Sequence, residues 1–301
     1  MTRQLVLVHG RSQQGKESVA LKAEWIDTLR EGLAANGLDL PIAESDIRFP
    51  YYGDTLDAMV QGKPASEVAE VIVRGEASDD DQKAFMRVVI EEVRQKAGIT
   101  DAEMSEAIGQ EVVDRGPLNW EWLQGALRAI DRKVPFGSGV SIALATNDVY
   151  QYLKNAAIRM KIDLGVAQAF TPGVETVVVG HSLGTVVTYN VLRHEAMNRG
   201  WKVPLFVTVG SPLGVEEIRR RMRSLATLRC PEGVSAWFNA MDDRDVVALY
   251  PLTMANFPLD PANPAIENKT DVRNRTENRH GISGYLDDPV VAKRIYDALM
   301  A

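Results

Sequence analysis

Two spacings alternate along this chain. Short runs of consecutive apolar residues, QLVLV at 4–8, TVVVG at 176–180, PLFVTVG at 204–210 and SAWFNAM at 235–241, are bounded by polar residues, proline or glycine. Runs of this length are the pattern of strands buried on both faces. Between them, apolar residues recur at helical spacing from Glu17 to Asn36, Thr185 to Asn198 and Val215 to Arg223. Gly37 supplies a stop for the first of these helices, and Asp287, Asp288 and Pro289 open a last one. DIRFPYYG, with Pro50 near its end, is a further strand candidate. Strand and helix in alternation predict an α/β fold: a mostly parallel central sheet with helices on both faces.

The alternation stops between about Gly53 and Asn147. Ser78 and Asp79–Asp81 supply a cap and an acidic first turn for a helix running to about Lys96, and WEWLQGALRAIDRK has helical spacing too. This stretch is expected to be a helical, cap-like insertion, its acidic residues forming a solvated face. Asp148 is expected to cap a helix whose Val149, Tyr152, Leu153, Ala156 and Met160 share one face. The polar, Pro- and Asn-rich stretch from Pro251 to Arg279 is expected to be a long loop. Residues 1–301 thus make a single domain with its insertion at about 53–147.

Composition narrows the partners. A chain of 301 residues that is 45% hydrophobic can bury a large core. Its 34 Lys and Arg against 41 Asp and Glu leave a net charge of −7, which argues against a nucleic-acid binder that must neutralise phosphates. The single cysteine, Cys230, has no partner for an internal disulfide and is expected to be a small buried apolar residue. The apolar LVLV run near the N-terminus is too short for a signal-peptide core, and no run approaches a membrane span. These features predict a cytoplasmic protein without a transmembrane segment. RRRMR, Arg219 to Arg223, could meet anionic headgroups in a peripheral membrane contact, but reads first as a solvated helix face.

The strongest chemical signal is VVVGHSLGTVV. Gly180-His181-Ser182-Leu183-Gly184 is a G-x-S-x-G pentapeptide lying between a predicted strand and a predicted helix, where a sharp turn lifts a serine hydroxyl above a sheet. A serine needs a base, and the base needs an orienting acid. Of the four histidines, His9 and His181 belong to turns and His194 falls late in a helix, which leaves His280 in NRHGISGYL. Carboxylates for the third role stand together in NAMDDRDVV as Asp242, Asp243 and Asp245. The first loop, LVLVHGRSQQGKES, admits a rival reading: Gly10, Gly15 and Lys16 have P-loop spacing. Glu17 follows Lys16 where a P-loop needs Ser or Thr, so a nucleotide at Gly10–Lys16 is the weaker alternative.

GHSLG, VHG after the first strand and a late RHG together resemble the α/β-hydrolase superfamily over nearly the whole chain outside the insertion. VTVGSPLG and WFNAMDDRDVV are similar to its lipase- and esterase-like branch. The resemblance implies the chain order serine, acid, histidine, with Ser182 as nucleophile and His280 as base. It places the acid at Asp245, with Asp242 as the alternative. It also implies an oxyanion hole built from the backbone N–H groups of Arg11 and Leu183. The expected activity is hydrolysis of a small-molecule or lipid carboxylic ester through an acyl-enzyme, with no metal or organic cofactor. Amidase, thioesterase and acyltransferase chemistry would use the same groups. Trp120 and Trp122 could line an acyl pocket under the insertion, and ordinary packing accounts for them equally well.

Overall fold

A computed structural model describes residues 3–10, 18–52, 80–108, 120–134 and 139–301. Six parallel strands form one sheet in the order β2-β1-β3-β4-β5-β6. They are β1 (Gln4–Val8), β2 (Ile47–Arg48), β3 (Thr176–His181), β4 (Phe206–Val209), β5 (Trp237–Ala240) and β6 (Ile266–Lys269). Every residue of β1, β3, β4 and β5 is buried, as expected of parallel strands covered on both faces.

The period-two alternation of strands divides the core into two layers. Leu5, Leu7, Val177 and Val179 face one side, where they meet Trp25 and Leu29 of α1 (Ser18–Ala34) and Val291 and Ile295 of the last helix, α10 (Pro289–Met300). Val6, Val8 and Val178 face the other. That side is covered by α2 (Asp80–Lys96), α4 (Trp120–Lys133), α5 (Gly139–Lys154), α6 (Ala156–Ala167) and α7 (Leu183–Arg199). Also present are α3 (Asp101–Ile108), α8 (Glu216–Leu225) and the short α9 (Ser283–Leu286). The chain is therefore an α/β protein with a six-stranded all-parallel sheet.

Several boundaries follow the predicted signals. Gly37 adopts φ +69° just past α1, and Asp288 caps α10, its side chain accepting from the N–H groups of Val290 and Val291 ahead of which Pro289 sits. WEWLQGALRAIDRK is helical from end to end. The expected cap at Asp148 is a correction. Helix α5 runs through that residue, and the break falls at Asn155, whose Oδ1 accepts from Ala157 and Ile158 N–H at 3.1 and 3.2 Å. Met160 consequently lies on α6 and is exposed. The expected loop from Pro251 to Arg279 contains β6, a second correction. IENK is a half-exposed edge strand and lacks the apolar run that marks a central one.

The acidic run at α2 is more than a solvated face. Asp81 accepts from Lys154 Nζ at 2.9 Å and Tyr150 OH at 3.1 Å on α5, and from Arg221 Nη1 at 2.9 Å on α8. The Arg221 hydrogen bond, then that of Lys154, holds its carboxyl well below the usual range. Arg221 and Arg220 also pair with Glu217, and Arg219 donates to the Ala255 and Asn256 carbonyls. Most of RRRMR is thus engaged within the protein. Cys230 is buried, and burial pushes its thiol up to about 11. Among the described residues, no helix is long and apolar enough to cross a membrane.

Candidate active site

Strands β1 and β3 are neighbours, and β2 lies on one side of the pair while β4 to β6 lie on the other. Connections leaving the two strands therefore diverge, opening a crevice at their carboxyl ends, the usual ligand position in such sheets. Gly10 follows β1 and Ser182 follows β3 at that crevice.

Ser182 alone joins β3 to α7. It adopts φ 55°, ψ −127°, a conformation that costs a non-glycine residue on the order of 1–3 kcal/mol. Close backbone approach explains the flanking glycines. A Cβ on Gly184 would lie 2.2 Å from the Val8 carbonyl oxygen, and one on Gly10 would lie 2.6 Å from the Ser182 Cβ. Hydrogen bonds hold the strained turn: Ser182 N–H donates to Val209 O at 3.2 Å, and Thr185 donates to Ser182 O through both N–H and hydroxyl, at 2.9 and 2.7 Å. The Thr185 hydroxyl also meets that of Ser211, at 2.8 Å.

Three residues far apart in the chain converge here. His280 Nε2 lies 2.9 Å from Ser182 Oγ, and His280 Nδ1 lies 2.7 Å from Asp245 Oδ2. Asp245 is fully buried and accepts three further hydrogen bonds. Tyr285 OH donates to Oδ2 at 2.6 Å, while Val247 N–H and Ala248 N–H donate to Oδ1 at 2.8 and 3.3 Å. Burial by itself would push this carboxyl up; the adjoining His280 and the hydrogen bonds from His280, Tyr285 and Val247 outweigh it and hold Asp245 below the ordinary value. Its carboxylate is thereby kept ionised against the imidazole.

Asp242, the alternative acid, is committed elsewhere. It accepts from Arg244 Nε at 2.8 Å, Arg244 N–H at 2.9 Å and Asn274 N–H at 2.8 Å. Its carboxyl therefore ties the loop after β5 to the loop that carries His280. Asn274 continues that tie through its side chain, which donates to Gly281 O at 2.8 Å.

Three supporting residues escape the sequence reading. Tyr285 donates to Asp245. His181 Nε2 donates to the His280 carbonyl at 2.7 Å; burial, and then the neighbouring His280, hold its imidazole down to about 3, so it stays neutral. His9 is likewise neutral, burial holding it down to about 4. Its Nδ1 donates to Gly10 O at 2.7 Å, its Nε2 accepts from Tyr52 N–H at 3.2 Å, and the Tyr52 hydroxyl donates to the His9 carbonyl. That knot fixes the end of β1 against Ser182. G-x-S-x-G spacing marks where His181 sits but not what its ring meets, and no local pattern marks Tyr285.

Leu183 opens α7, so its N–H has no helical carbonyl to pair with and is available beside Ser182. Arg11 and the rest of the loop through Lys16 lie outside the described residues, as does the Trp120 side chain. Trp122 is 4% exposed and packs within the main core cluster. A narrow apolar cavity of about 20 Å³ opens onto Ser182, with walls that include Val89, Val149 and Val246 but not Trp122. No family model, curated protein or solved structure matches the chain.

Proposed function

We propose that the chain is a serine hydrolase of the α/β-hydrolase type that cleaves a carboxylic ester through an acyl-enzyme. One observation carries the reading: the unbroken Ser182–His280–Asp245 relay, 2.9 and 2.7 Å long in its two links, at the crevice of a parallel sheet. Ser182 Oγ attacks the carbonyl carbon as His280 Nε2 takes its proton. Asp245 remains ionised, fixes the proton on Nδ1 and stabilises the imidazolium. The carbonyl electron pair moves onto oxygen, which accepts from Leu183 N–H and, on the family resemblance, from Arg11 N–H. Collapse expels the alcohol, protonated by His280. Water then attacks the acyl-enzyme with His280 again as base, releasing the acid and restoring Ser182.

Hydrolysis of p-nitrophenyl acetate and butyrate by the wild type and by Ser182→Ala tests this reading. Turnover that falls by roughly 10⁴ or more in the variant, with an unchanged melting temperature, is expected. Equal turnover by both proteins would assign the activity to some other group.

A further inference from the structure

We propose that His181 is a positioning residue: it sets the base against the nucleophile by holding the His280 backbone from the strand that leads into Ser182. This rests on the reading of Ser182 as nucleophile and His280 as base.

Side chains hold the peptide groups around the base. His280 N–H donates to Asn278 Oδ1 at 3.1 Å, and Gly281 N–H donates to Thr276 Oγ1 at 2.9 Å. The Gly281 carbonyl accepts from Asn274 Nδ2 at 2.8 Å, and the His280 carbonyl from His181 Nε2 at 2.7 Å. Each backbone polar group of the two residues thus has a side-chain partner. Arg279, just ahead of them, adopts φ 56°, a region that residues other than glycine seldom enter, so these contacts hold the loop in a shape it would not take alone. Asn274, Thr276 and Asn278 belong to the same loop and move with it. His181 does not. It ends β3, lies in register with Val209 of β4, and its backbone runs directly into Ser182.

Two consecutive residues therefore reach His280 from the end of β3. His181 Nε2 meets its carbonyl at 2.7 Å, and Ser182 Oγ meets its Nε2 at 2.9 Å. The first contact fixes where the backbone of the base stands; the second is the link along which the proton moves. Asp242, through Asn274 N–H at 2.8 Å, ties the same loop to the segment that carries Asp245. It therefore aligns His280 with the acid, and His181 aligns it with the nucleophile.

Ring packing keeps His181 in place. Trp25 meets its ring edge-on with centroids 6.1 Å apart, and the His280 ring lies 4.8 Å away. A Cβ on Gly210 would stand 3.2 Å from both His181 Cδ2 and His280 Cε1 and 3.1 Å from Tyr285 Cε2, so glycine there lets the three rings close together. Burial, and then His280, hold the His181 imidazole down to about 3. It donates as a neutral ring and places no second cation beside the imidazolium that forms on His280 during turnover.

Hydrolysis of p-nitrophenyl acetate by wild type, His181→Leu, His181→Gln and Ser182→Ala tests this, each assayed well below its own melting temperature so that the folded fraction does not enter. His181→Leu keeps apolar bulk and removes the donor; His181→Gln keeps an uncharged N–H donor of similar reach. A shift on the order of 1 Å at the base costs up to about a hundredfold in rate. In His181→Leu, kcat should fall by roughly tenfold or more with KM within about twofold of wild type, and His181→Gln should recover most of that loss. If His181→Leu does not fold, His181→Asn, whose shorter side chain withdraws its amide from the His280 carbonyl, takes its place with the same expectation. Unchanged kcat in the donor-deficient variant, with turnover lost in Ser182→Ala, overturns the positioning role and leaves Ser182 as nucleophile. Equal losses in His181→Leu and His181→Gln overturn it too, since the donor would then not be what matters. No wild-type turnover, or turnover that Ser182→Ala retains, overturns the hydrolase reading and the positioning role with it.

Discussion

A buried carboxylate and a half-buried one in this protein have similar partners and opposite behaviour. Asp245 accepts from the Tyr285 hydroxyl at 2.6 Å, and Asp163 on α6 accepts from the Tyr152 hydroxyl at 2.5 Å. Asp245 is held below the ordinary carboxylate value, whereas burial raises Asp163 to about 6 in spite of its hydrogen bonds. The difference lies in the rest of each shell. Asp245 has an imidazole against one oxygen and two backbone N–H groups on the other. Asp163 has Tyr152 and the Asn190 amide, with Arg159 acting on it only as a more distant charge. One tyrosine hydroxyl and one side-chain amide do not offset the desolvation of Asp163, whereas an imidazole, a tyrosine hydroxyl and backbone N–H groups outweigh that of Asp245.

The comparison breaks most visibly at Asp245. Asp245→Asn puts an amide where His280 needs an acceptor and disfavours the productive tautomer, so kcat should fall by about 10³–10⁴ with the fold retained. Asp163→Asn should leave kcat unchanged. If Asp242→Asn proves the more damaging to kcat, the acid is misassigned and the contrast between the two shells fails with it.

Stability against pH tests the other member. Because Asp163 binds its proton more tightly in the folded than in the unfolded state, its contribution is favourable at low pH and is lost as pH rises through about 6. Relative to Asp163→Asn, the wild type should lose up to about 3 kcal/mol between pH 4 and 7, from a rise of roughly two pH units at 1.36 kcal/mol each. Urea unfolding at both pH values measures this. A constant difference between the two proteins would mean that Asp163 titrates alike in the folded and unfolded chain.

A smaller effect separates the two tyrosines. Tyr285→Phe removes one donor from Asp245 and leaves His280 less firmly oriented, so kcat should fall about tenfold while KM stays near its wild-type value. Tyr152→Phe should change neither constant. Parallel losses in both variants would show that the Tyr285 effect is structural.

Legibility in the sequence followed how local each cause is. Strands β1, β3, β4 and β5 announced themselves because burial on both faces demands a continuous apolar run. Ser182 was legible for a related reason: its strained turn needs glycine at 180 and 184, which leaves a pentapeptide signature. His280 followed from a short supply of histidines, and Asp245 from resemblance, since Asp242 is three residues away with the same charge. What separates those two aspartates is which hydrogen bonds reach each of them, and three of those come from the distant residues Asn274, His280 and Tyr285. Strand β6 was missed because an edge strand can be polar, and the Asn155 break because Asp148 offers the same capping chemistry one helix too early. The tryptophans illustrate the limit of composition. A large aromatic in an insertion suggests a pocket, yet Trp122 packs in the core while valines and isoleucines line the cavity.

Reaction with a fluorophosphonate, followed by intact mass, asks directly whether Ser182 is an activated nucleophile. Attack by Ser182 Oγ on phosphorus with loss of fluoride needs an activated hydroxyl and an oxyanion site, but no knowledge of the natural substrate. One adduct is expected on the wild type, none on Ser182→Ala, and sharply slower labelling of Asp245→Asn. An adduct that persists on folded Ser182→Ala, or a wild type that hydrolyses esters yet takes no label, would contradict it.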